Sequence, residues 1–110
     1  MIEQYSYSDE GWKVLIESGE WKIGMLCHNE RFGAFRELEQ HTLTDEVFVL
    51  LAGSATLYTD SESAEMQPLT VYNIPAGVWH HIVVSEDASV LVIENRNTSK
   101  ENTLKKYLNS

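Results

Sequence analysis

The stretch that decides the fold runs from Gly33 to Gly53 and reads GAFRELEQHTLTDEVFVLLAG. Val47-Phe48-Val49-Leu50-Leu51 is apolar on both alternating faces, so the strand it forms is covered on two sides. Glu39 and His41 are two residues apart, so a strand continuing through them points both side chains to one face. Glu46 opens the next strand in phase with Phe48 and Leu50. If that face is the interior, its charge has to be paired or metal-bound.

The same punctuation extends outward in both directions. Short apolar runs separated by Gly, Asn, Asp or Pro fill residues 12–98, the pattern of an all-β sandwich or barrel. The expected strands are Lys13–Glu17, Trp21–His28, Phe35–Glu39, Glu46–Ala52, Ser54–Tyr58, Val71–Ile74, His80–Ser85 and Ser89–Glu94. Val90-Leu91-Val92-Ile93 is again apolar on both faces and implies a closed or two-sheet architecture. Asp60 to Glu65 reads as an acidic, solvated hairpin tip. Thr98 to Leu108 opens on Thr, Ser and an acidic residue, closes on Lys105-Lys106, and offers Leu104 and Leu108 for docking; this predicts a short C-terminal helix over 98–108.

Composition limits the function. The chain has 110 residues, one domain's worth, without repeat or linker. Lys+Arg total 8 against Asp+Glu 17, a net charge of -9, which repels phosphate backbones and anionic lipid and argues against nucleic acid or membrane as partner. The acidic, polar N-terminus does not read as a secretory signal, and no stretch is apolar enough to span a bilayer. Cys27 is the single cysteine, which excludes an intrachain disulfide and suits a reducing cytoplasm. Cys27 and His28 point to opposite strand faces, so they are not a nucleophile-base pair, and Cys27 reads as a small buried hydrophobe. Trp79, Tyr58, Tyr72 and Phe48 are candidates for a pocket wall, although such rings are more often core.

His80 and His81 are neighbours on one strand, so one of them faces inward. Taken singly, Glu39, His41, Glu46 and His80 each have an ordinary structural reading; their spacing carries the chemical one. Gly33, five residues, Glu39, one, His41, four, Glu46, six, Gly53 resembles the first cupin motif, and Pro75-x-Gly77-x-x-His80 is similar to the second. The resemblance spans about residues 33 to 84. It implies a jelly-roll, double-stranded β-helix barrel with one divalent metal ion in its mouth. His41, Glu46 and His80 match ligand positions, a two-histidine, one-carboxylate set that suits Fe and accommodates Mn, Ni, Co or Zn.

The chain departs from the family pattern at three places. Glu39 stands where the first motif histidine is expected, Leu69 where a glycine precedes the proline motif, and Val84 where an asparagine follows the last histidine. Three roles stay open for Glu39: a further metal ligand, a catalytic general base, or a solvent-facing residue. The resemblance implies a small-molecule ligand and allows a metal-dependent enzyme of dioxygenase or isomerase type, or a non-catalytic binding or sensing module. A homodimer that covers exposed strand edges is expected from the fold.

Overall fold

The computed structural model describes residues 1–108 as two five-stranded antiparallel sheets. The strands are β1 (Gly11–Ser18), β2 (Trp21–Cys27), β3 (Glu37–His41), β4 (Glu46–Ala52), β5 (Ala55–Thr59), β6 (Ser63–Glu65), β7 (Tyr72–Ile74), β8 (His80–Val84), β9 (Ser89–Asn95) and β10 (Thr103–Tyr107). The first sheet is ordered β1-β2-β9-β4-β7 and the second β10-β3-β8-β5-β6. The eight strands expected from the sequence are present, with ends shifted by at most two residues. The shift matters at β3, which runs on through His41 and so carries Glu39 and His41 on one face.

The inner face of the first sheet is built in rows across β2, β9 and β4. Leu26, Val90 and Leu50 are register partners, as are Gly24, Val92 and Phe48. Burial of these apolar side chains, all of them in the core, contributes roughly 1.5–3 kcal/mol for each large one. The third row is Lys22, Glu94 and Glu46, equally in phase with the buried positions and itself buried. Charge has been placed at interior positions, which requires internal partners. Gly24 clears this wall for an aromatic ring: a Cβ there would lie 2.2 Å from the Trp12 ring and 2.7 Å from the Lys13 carbonyl oxygen.

The segment 98–108 is not a helix. It forms one 3-10 turn, Lys100–Asn102, and then β10, which pairs antiparallel with β3 from Thr103↔His41 to Tyr107↔Glu37. The N-terminal signal was real but local, since Ser99 N–H donates to Asn102 Oδ1 at 3.0 Å. An isolated helix of this length is marginal in water, whereas the strand satisfies the open edge of β3. The acidic tip also contains β6, exposed throughout and paired with β5.

Candidate metal centre

Two turns bring the motifs together. Pro75-Ala76-Gly77 docks onto β3 and the start of β4: Gly77 N–H donates to His41 O at 2.9 Å, and Ala76 N–H and Asn73 Nδ2 donate to the Asp45 carboxylate at 2.9 and 3.1 Å. Those bonds hold the Asp45 carboxyl below its ordinary pKa. Gly53 ends the first motif at φ 71°, where a Cβ would press on Ala88 at 2.6 Å. His80, at the head of β8, is thereby set beside β3, where Glu39 is its register partner.

His41, Glu46 and His80 converge: their ligating atoms all lie within 4.8 Å of one another, and all three residues are buried. Glu46 Oε1 is 3.0 Å from His41 Nε2 and 2.8 Å from His80 Nε2. The other ring nitrogens are committed. His80 Nδ1 is 3.0 Å from the Val78 carbonyl, which only accepts, so it carries a proton and donates there. Thr103 Oγ1 spends its proton on Ser99 O at 2.7 Å, so at 3.0 Å it accepts from His41 Nδ1–H. With no proton on it, the Nε2 of each ring would turn a bare lone pair onto a carboxylate oxygen. Three acceptors at one point need positive charge between them, supplied by protons or by a cation. Nδ1–H anchored on an oxygen with Nε2 free is also how histidine is oriented for a metal.

The electrostatics follow the geometry. Burial pushes the Glu46 carboxyl up, but the hydrogen bonds and charges of His41 and His80 outweigh it and hold it down at about 2. Burial pushes His41 down, and the hydrogen bond and charge of Glu46, with Glu94 and Glu39 behind it, raise it above its ordinary value overall. Glu94 is pushed up to about 7, by burial first and then by the adjacent Glu46. On its far side Glu94 lies 3.6 Å from Lys22 Nζ, which donates to Thr98 O at 2.9 Å.

The triad opens into a cavity of about 590 Å³ between the sheets, with Leu26, Phe48, Ile82 and Val92 as apolar walls and Trp12 at one side. Glu39 lines this cavity too, but it is not among the three grouped donors; its carboxylate pairs with Arg31. His81, the next residue on β8, also borders the cavity, but its ring is engaged elsewhere. It is 1% exposed, lies against the rings of Phe32 and Phe35, and donates from Nε2 to Arg31 O at 3.1 Å. Of the four aromatic wall candidates, Phe48 lines the cavity. Tyr58 stacks on Phe35 and Trp79 lies under Lys106, while the Tyr72 hydroxyl accepts from Gln67 N–H at 2.7 Å. Cys27 is buried, as a small hydrophobe would be.

Sequence reasoning missed Lys22, Arg31, Glu94 and Thr103. For Lys22 and Glu94 the signal was available: Lys22-x-Gly24-x-Leu26 and Val90-x-Val92-x-Glu94 set a charge in phase with the core.

No family model matches the chain, and no curated protein matches it. Solved structures do. A cupin-2 domain-containing protein from Shewanella frigidimarina superposes with a TM-score of 0.68 at 24% identity, covering 82% of this chain and 85% of that one. The fold is the cupin barrel. Pac13 of Streptomyces, a nucleoside dehydratase, gives a TM-score of 0.73 at 11% identity over 100% of this cupin-fold chain and 95% of its own. Structures of Pac13 variants carry uridine. KdgF from Halomonas gives 0.64 at 13% identity, covering 90% of this cupin barrel and 91% of that one.

Proposed function

We propose that this protein binds one divalent metal ion through His41, Glu46 and His80 and takes a small organic molecule into the adjoining cavity. The observation that carries the reading is the pair of imidazoles with Nδ1–H anchored on Thr103 and Val78 and Nε2 turned onto one Glu46 oxygen. The donor set fits Fe, Mn, Ni, Co or Zn with coordination positions left for a ligand. The likeness to Pac13, whose variant structures hold uridine, supports a small-molecule occupant of the barrel.

When bound, the ion would supply Lewis acidity or, as iron, redox chemistry. The chain supplies the rest. The apolar wall at Phe48, Ile82 and Val92 excludes water and shapes the ligand site. Glu39, in the same cavity, is the residue placed to take or return a proton, and release from Arg31 would free it to do so. The Arg31 pairing equally favours a second reading, a non-catalytic binding module in which Glu39 only helps shape the mouth. A cytoplasmic location, consistent with the single cysteine, and a homodimer complete the proposal.

Metal analysis of protein reconstituted with each ion in turn, and of the His41→Ala and His80→Ala variants, is the direct test. One equivalent in the wild type, lost in both variants, is the expected result; no bound metal under replete conditions would overturn it. Turnover of any bound compound, abolished in Glu39→Gln while binding persists, separates the enzyme from the module.

A further inference from the structure

The chain is acidic, yet its cations gather at the cavity. Lys22, Arg31, Lys100 and Lys105 line it, four of the 8 basic residues in the sequence. Glu39, Glu46 and Glu94 line it as well, and Glu37 stands just behind, 3.5 Å from Arg31 Nε and 3.2 Å from Lys105 Nζ. With all four carboxyls ionised, four cations against four carboxylates leave the metal-free cavity near neutrality. A divalent ion on the triad then gives it a surplus of two positive charges, in a molecule whose net charge is -9.

Part of that charge sits in a built arrangement. The Arg31 carbonyl is held by the buried His81, and its guanidinium carbon lies 4.9 Å from the centre of the Phe32 ring. Lys105 comes from β10, directly across from Glu39 in register. Both cations hold Glu37 between them and Arg31 holds Glu39 as well, so an incoming anion would be received by the N–H groups these pairs leave over. The Arg31 and Lys105 side chains remain 37% and 38% exposed, with N–H groups left to give.

We infer that the ligand is a small organic anion, with an oxygen directed at the metal triad and a carboxylate or phosphate received by Arg31 and Lys105. This rests on the metal reading above. Guanidinium and ammonium together suit either anion, and charge-assisted bonds to both would favour it strongly over a neutral molecule of the same skeleton.

Calorimetric titration of the Mn(II)-loaded protein tests this with matched pairs: lactate against propylene glycol, and glycerol phosphate against glycerol. At least one acid is expected to bind tenfold or more tightly than its neutral partner, and the tighter arm names carboxylate or phosphate. Arg31→Gln and Lys105→Met should each weaken that acid by about 10–100-fold with metal content unchanged, and Arg31→Lys should keep part of the affinity. Neutral partners binding as tightly as the acids, or both variants binding the acids like wild type, would overturn the inference while leaving the metal reading intact. A wild-type protein that retains no Mn(II) or other divalent ion would overturn both.

Discussion

At the scale of single residues, the interior places Glu46 between two imidazoles and against Glu94. Replacing Glu46 by Gln keeps the shape and removes the charge, and metal affinity is expected to fall by at least about 100-fold in an equilibrium competition assay. Glu94 yields a prediction with a sign. In the metal-free protein its carboxyl keeps a proton up to about 7, whereas in the unfolded chain it loses it near the ordinary value of 4.5. The folded state therefore binds more protons in that window, so stability falls as pH rises from about 4.5 to about 7 and is level above. Glu94→Gln removes this slope. The variant should match wild type near pH 4 and exceed it by about 2–3 kcal/mol near pH 8, read from urea denaturation with chelator present. The raised His41 acts in the same direction, its contribution being present below its unfolded value and lost as pH climbs through the folded one. Glu46, held at about 2, contributes in full above its unfolded value of 4.5, and that contribution is lost progressively as pH falls from there through about 2.

At the scale of elements, the decisive pieces are β10 and the β1–β2 pair. Thr103 on β10 accepts the His41 Nδ1 proton, so Thr103→Val should weaken metal binding by about 10–100-fold while leaving all three ligands in place. Gly24 on β2 is overlaid by the Trp12 ring. Gly24→Ala should cost about 1–3 kcal/mol in denaturant unfolding, and Trp12→Leu in the same chain should recover part of it. These two elements also mark how legible the fold was. The strands around Val47–Leu51 and Val90–Ile93 could be read because a short apolar run bounded by turn residues is a local signal. β10 could not: Ser99, Glu101 and Lys105-Lys106 carry helix-end chemistry, and its pairing is decided by the unfilled edge of β3 some sixty residues away. Legibility of the site divides the same way. His41, Glu46 and His80 were found through fixed spacing within two motifs, whereas the Arg31 partner of Glu39 comes from a 3-10 turn that no spacing rule ties to β3.

At the scale of the whole molecule, the barrel segregates its charge. The cations and carboxylates at the cavity offset one another, so the whole net charge of -9 resides on the rest of the molecule. Entry of an anion is then opposed at long range and favoured at short range. Its association rate should rise with added salt as the outer repulsion is screened, and stopped-flow binding of lactate or glycerol phosphate at increasing ionic strength would measure this. A rate falling with salt instead would mean that the cavity dominates the field.

The hydrogen bond between His41 and Thr103 spans 62 positions of the chain. During synthesis, at about 5–20 residues per second, His41, Glu46 and His80 all leave the ribosome before the residue that fixes the orientation of the first of them. A nascent chain ending short of β10 therefore displays three ligands without a finished centre. If the centre binds metal as proposed, tight capture waits for β10 to pair with β3.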